Sequence, residues 1–115
     1  MNIVIYHNAN CSKSRQVLEI LLSKGIDPVV INYLDTGWTR PHLLTLFAVA
    51  GITAREALRE SSPVAEELGL SLPTTSDESI VDAMLLHPEL VNRPIVCSPK
   101  GISLCRPVEK VLELI

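Results

Sequence analysis

Between Asn2 and Tyr33 the hydrophobic period of the chain changes twice, and those changes narrow its possible folds more than any other feature. Asn2 to Tyr6 is a short apolar run, read as a buried strand. From Ser12 to about Lys24 the apolar positions Val17, Leu18, Leu21 and Leu22 repeat at helical spacing, and Gly25 sits where a helix ends on a glycine. Val29 to Tyr33 is a second β-branched run. Strand, helix and strand so close together predict a βαβ unit with two parallel strands.

The middle of the chain has a different character. Thr39 to Ala50 reads as a helix with Thr39 as N-cap and Pro41 in the first turn. Ala54 to Arg59 and Val64 to Leu68 are short helical pieces, the second ending at Gly69. Ser76 to His87 is a helix capped by Ser76, with Asp77 and Glu78 in its first turn, an inner stripe of Ile80, Val81, Met84 and Leu85, and Pro88 as its stop. No strand is expected in this block, about residues 39–90, which reads as a helical insertion. Pro94 to Cys97 and Gly101 to Cys105 then flank a Ser98-Pro99-Lys100-Gly101 turn and predict a β-hairpin. Val108, Val111, Leu112 and Ile115 form a last helical stripe. The fold class is therefore α/β, a mixed four-stranded sheet built as βαβ and then ββα, in a single domain over residues 1–115.

Composition narrows the function. With 47% apolar and 20% charged residues the chain has enough apolar material for a core. A formal net charge of -3 argues against a non-specific nucleic-acid binder. No apolar stretch is long enough to span a bilayer, and no secretory signal is expected, since Met1 leads straight into a strand pattern. Three cysteines, with no C-x-x-C pair and no zinc-like spacing, predict reduced thiols in a cytoplasmic protein without a metal site.

The chemistry is expected in His7-Asn8-Ala9-Asn10-Cys11-Ser12-Lys13-Ser14-Arg15. Cys11 stands where the first strand ends and the first helix starts. The opening N–H groups of a helix have no partners within it, and the helix dipole is positive there, so a thiolate is favoured and an oxyanion can be held beside it. Thiols in such places titrate at about 3.5–7.5 rather than roughly 8.5. Ser14 is placed to hydrogen-bond the sulfur and Arg15 adds positive charge. Cys97, inside an apolar run, reads as a core thiol, and Cys105 as structural with a possible redox role. A dithiol oxidoreductase would need a second cysteine at Ser14. A cysteine phosphatase loop needs more residues between cysteine and arginine than the three separating Cys11 from Arg15. A monothiol enzyme that forms its adduct on one sulfur and borrows an outside thiol fits.

Three stretches carry a family resemblance. His7-Asn8, Cys11 and Ser14-Arg15 resemble the H-N-P-x-C-x-x-S-R loop of the glutaredoxin-coupled arsenate reductases, the ArsC family. His87-Pro88-Glu89-Leu90-Val91-Asn92-Arg93-Pro94-Ile95-Val96 resembles its H-P-E-L-x-N-R-P-I-V segment, and Cys105-Arg106-Pro107 its C-R-P segment. Arg59 falls where the family carries a further arginine. The resemblance implies a thioredoxin-like fold with the helical insertion between its halves, and a cis peptide bond before Pro94. It implies that the Cys11 thiolate attacks arsenate, with Arg59, Arg93 and Arg106 converging on the oxyanion and His7 and Ser14 tuning the thiolate. Asn8, Ser12, Arg15 and Pro94 would line the substrate's seat. Glutathione is then the co-substrate and glutaredoxin the partner, with no tightly bound cofactor, metal, membrane or nucleic acid. The family's proline is replaced here by Ala9, which removes a device that stiffens the loop. Two other readings share the fold: a glutathione-dependent monothiol reductase that does not act on arsenate, and a Spx-like regulator that binds RNA polymerase. His42 and His87 read as surface residues.

Overall fold

The computed structural model describes residues 2–115. The chain divides into two compact units, one made of the chain up to Thr36 together with Arg93–Ile115, the other of Gly37–Asn92.

The first unit holds the sheet. Strand β1 (Val4–His7) leads through a loop into helix α1 (Ser12–Ser23) and then strand β2 (Val29–Asn32). β1 and β2 pair in parallel with Val4 opposite Val29 and His7 opposite Asn32, the βαβ unit that the two period changes predict. α1 buries Ser14, Val17 and Leu21, whereas Leu22, expected on the apolar stripe, is exposed. The helix ends as expected at Gly25, in the left-handed region at φ +74. The Gly25 N–H donates to the Leu22 carbonyl and the Ile26 N–H to the Leu21 carbonyl, which satisfies two carbonyls that the helix leaves open. A short helix α2 (Tyr33–Thr36) follows β2 directly where a longer strand was expected.

The chain re-enters this unit at strand β3 (Ile95–Ser98), which turns through Pro99 and Lys100 into strand β4 (Gly101–Leu104). β3 pairs antiparallel with both β1 and β4, so the sheet order is β2-β1-β3-β4, the mixed four-stranded sheet expected. Ile3, Ile5, Val17, Leu21, Val96, Cys105, Val111 and Leu114 form one core between the sheet, α1 and the C-terminal segment. Each fully buried aliphatic side chain there stabilises the fold by roughly 1.5–3 kcal/mol. The C-terminal segment Val108–Leu114 is a 3-10 helix. An α-helix would put Val108, Val111, Leu112 and Ile115 on one face. Instead Val111 and Leu114 are buried, Val108 is partly so, and Leu112 is 48% exposed. Burial at every third residue is the 3-10 period, in which residues three apart eclipse.

The second unit is helical, with α3 (Arg40–Ala50), α4 (Ala54–Ala57), α5 (Pro63–Glu67), α6 (Asp77–Leu86) and a 3-10 turn at Pro88–Leu90. Its fully buried side chains include Leu43, Ile80, Met84, Leu90 and Val91. Ser76 caps α6 as expected, its hydroxyl accepting the Ser79 N–H at 3.1 Å. Thr39 occupies the N-cap of α3 without a side-chain cap, while Thr53 and Glu56 form a full capping box on α4. α4 stops at Ala57 rather than Arg59, because Leu58 leaves the helix to form an isolated antiparallel bridge with Val91. His87 ends α6, with Nδ1 3.8 Å from Glu89, and His42 is exposed beside the Trp38 ring, as surface residues. Among the described residues no helix is long and apolar enough to cross a membrane.

Candidate active site

The loop between β1 and α1 is a tight turn. The Cys11 N–H donates to the Asn8 carbonyl at 3.0 Å, so Asn8 and Cys11 are its ends and Ala9 and Asn10 its middle. Asparagine is favoured at the first place of such a turn and proline at the second, which is Ala9's place. Replacing Ala9 with proline should therefore stabilise the protein by about 0.4–1 kcal/mol, mainly by restricting the unfolded chain. Urea unfolding of the two proteins measures it, and a lower midpoint for the proline variant would mean that the turn cannot take the ring.

Cys11 sits at the N-cap of α1 with extended backbone, φ -99 and ψ 121, and is buried. As a neutral thiol it caps no amide. Ionised, it lies under two competing influences. Burial is the largest and works against the charge. The Ser14 N–H, the Arg93 guanidinium, the Lys13 N–H and the charge of Arg93 together outweigh it and hold the thiol below its ordinary value. The amides come from the first turn of α1, where sequence reasoning placed them.

Ser14 bonds the sulfur as expected, through its main chain. Its backbone serves the sulfur, while its hydroxyl is fully buried and turned to other partners. Ser14 Oγ lies 2.6 Å from His7 Nδ1 and accepts the Asn8 N–H at 3.1 Å. The hydroxyl has one proton to give and two acceptor sites, so the tautomer of the neutral imidazole decides which of the pair donates. Burial, and then the charge of Arg15, lower the His7 pKa and keep this neutral form. Arg15 is exposed, and its Nη1 donates to the Ala9 carbonyl at 2.8 Å. Ser12, the first residue of α1, is exposed.

Arg93 is 8% exposed, an unusual burial for a guanidinium, and it faces the thiolate through both hydrogen bonding and charge. The Arg93–Pro94 peptide is cis, as the resemblance implies, and so is Arg106–Pro107. Arg106 Nη1 donates to the Arg93 carbonyl at 3.0 Å, which ties the two arginines together through backbone. The Cys105 N–H donates to the Pro94 carbonyl at 2.9 Å. The first unit thus brings together Cys11, Ser14, His7, Asn8, Arg93 and Arg106. Arg59 belongs to the second unit, where its N–H donates to the Leu90 carbonyl at 2.8 Å.

The other two thiols are inert by comparison. Cys105 is fully buried, and that burial pushes its pKa up to about 12. Cys97 is half-buried on β3 rather than in the core, with its pKa raised by burial to about 11. Of the three thiols only Cys11 is held below its ordinary value. Among the described residues no group of three or more histidine, cysteine, aspartate or glutamate side chains is arranged to hold a metal ion.

Residues 6–114 match the sequence profile of the ArsC family. The chain belongs to the ArsC family. An arsenate reductase of Synechocystis, ArsI2, is 54% identical over 98% of this chain and 81% of its own length. An arsenate reductase of Escherichia coli is 48% identical over 99% of the chain and 81% of its own. The solved arsenate reductase from Vibrio cholerae superposes with a TM-score of 0.93 at 40% identity, over all of this chain and 98% of that one. The thioredoxin-like ArsC sheet explains why the site lies where it does. The end of a strand, the start of a helix and the strand opened by Pro94 deliver a thiol, two free amides and a buried arginine to one place.

Proposed function

We propose that this ArsC protein is an arsenate reductase that works through a Cys11 adduct resolved by glutathione and glutaredoxin. The observation that carries the reading is the electrostatic environment of one sulfur. A buried guanidinium and two helix-opening amides surround a thiol whose two companions in the chain stay protonated. Relatives at about half identity named arsenate reductases support the substrate.

The chemistry follows from these groups. The Cys11 thiolate attacks arsenic(V), forming an S–As bond while one arsenate oxygen leaves as water. Arg93 and Arg106 spread the charge of the remaining oxygens. Glutathione adds its sulfur to the arsenic and a second oxygen leaves as water. The glutaredoxin thiolate then attacks the glutathione sulfur. The As–S electron pair stays on arsenic, which becomes arsenic(III), and the two outside thiols leave as a mixed disulfide. Water releases arsenite and restores the Cys11 thiolate. No second cysteine of the chain is used, in keeping with Ser14 at the place of a resolving thiol. Such a scheme belongs to the cytoplasm, where thiols are kept reduced.

The test is arsenite production from arsenate by the purified protein with glutathione and glutaredoxin supplied. Turnover should require both thiols and fall to background when either is omitted. Full turnover with glutathione alone would remove the glutaredoxin step. No turnover with any thiol donor would favour the reductase that does not act on arsenate.

A further inference from the structure

Asn8 gives its N–H, its carbonyl and its side-chain oxygen to the loop and the start of α1. Its N–H donates to Ser14 Oγ at 3.1 Å, in the first turn of α1. Its carbonyl accepts the Cys11 N–H at 3.0 Å. Its side-chain Oδ1 accepts the Asn10 N–H at 2.9 Å, closing an Asx turn inside the backbone turn. The side chain is buried, with its oxygen turned to the loop. Three bonds from one residue therefore join the helix, the cysteine's own peptide and the middle of the loop.

We propose that Asn8 is the positioning residue of this site, the one that sets where the Cys11 sulfur stands over the opening amides of α1. It does so through the loop's own hydrogen bonds. The influence of a helix terminus is confined to its first turn, and a hydrogen bond to sulfur weakens steeply as its angle opens. A loop free to swing would therefore carry the sulfur off the Lys13 and Ser14 amides while leaving the fold in place. A proline at the second position of the turn restrains that swing through the backbone. Ala9 does not. In this chain the Asx turn of Asn8 takes over the restraint, so the Asn8 side chain carries more here than it would beside a proline. The proposal rests on Cys11 being the nucleophile.

The experiment is the pH dependence of Cys11 alkylation by iodoacetamide, located by peptide mass spectrometry, with a melting temperature for every protein. The variants are Asn8→Ala, Asn8→Ser, and Asn8→Ala combined with Ala9→Pro. The alkylation midpoint should rise by about one pH unit in Asn8→Ala, a tenfold slower reaction on its acid side. It should rise less in Asn8→Ser, whose hydroxyl makes the same turn more weakly. The added proline should recover most of the shift. A midpoint that stays put while the melting temperature falls would make Asn8 a stability residue only and overturn the proposal, as would a proline that recovers nothing. If Asn8→Ala does not fold, Asn8→Ser against wild type decides in the same way. Arsenate turnover measured alongside keeps the two ideas apart. A wild-type protein that alkylates at neutral pH but reduces no arsenate has the wrong substrate assigned, and the midpoints still judge Asn8.

Discussion

Cys11→Ser should produce no measurable arsenite, a loss of at least about 10³-fold in turnover, or roughly 4 kcal/mol of barrier. The amides of Ser14 and Lys13 and the Arg93 guanidinium lower the thiol's pKa against its burial. An aliphatic hydroxyl lies far outside their reach, so the nucleophile is lost even though the oxygen sits where the sulfur did. Cys97 and Cys105 do not substitute, because burial holds their pKa values near about 11 and about 12. The same change should not harm the fold. Cys11 is tied into the loop by backbone, its N–H on the Asn8 carbonyl and its carbonyl accepting the Arg15 N–H at 3.0 Å, and serine keeps both bonds. Serine is moreover a preferred N-cap, and Cys11 makes no side-chain cap. The variant should gain up to about 1 kcal/mol in stability while losing its activity. The paired measurement is turnover and thermal unfolding on one preparation. Arsenite formed at a tenth of the wild-type rate would remove Cys11 from the mechanism. A large drop in melting temperature would leave the lost activity to unfolding.

The elements that frame this site were legible because local rules and packing agree there. β1, α1 and β2 follow from two changes of period, and the close of α1 follows from Gly25 at a left-handed position. The C-terminal segment was misread because its apolar residues satisfy two periods at once. Leu112 and Ile115 complete an α stripe, and only the core shows that Leu114 is the residue it takes. The bridge between Leu58 and Val91 joins residues distant in the chain, and no pattern local to either announces it. The site divides in the same manner. Cys11 at a strand-to-helix junction is a local signal with a physical reason. Asn8 stood in the open as a motif residue, yet its part in the turn appears only when its three bonds are traced, although asparagine before an unconstrained alanine was a usable hint. Ser14 was expected to bond the sulfur, and it does so through its backbone N–H rather than its hydroxyl. A fully buried serine hydroxyl must satisfy its own bonds first, and His7 and Asn8 were already there.

Arg93 offers a sharper test than the cysteine, because two substitutions separate its two tasks. It lends positive charge to the Cys11 thiolate, and in the proposed mechanism it presents a planar fork of donors to the arsenate oxyanion. Arg93→Lys keeps the charge and loses the fork. Its pH profile should stay close to wild type, while kcat/KM for arsenate falls about 100-fold, near 2.7 kcal/mol. Arg93→Gln loses both. Cys11 acts as the thiolate, the form present above its pKa, and the guanidinium favours that form. Without it the thiol pKa rises, so activity that wild type retains on acidification should disappear at a higher pH in the glutamine variant. The Arg106 guanidinium should remain seated in both, since it binds the Arg93 carbonyl and not its side chain. Rate profiles against pH for the three proteins, at saturating and at low arsenate, give both readouts. A lysine variant as active as wild type would show that charge alone is needed and that no fork grips the anion. A glutamine variant with an unmoved acid limb would show that the helix amides ionise Cys11 without help, and the buried arginine would then be left with the substrate as its only task.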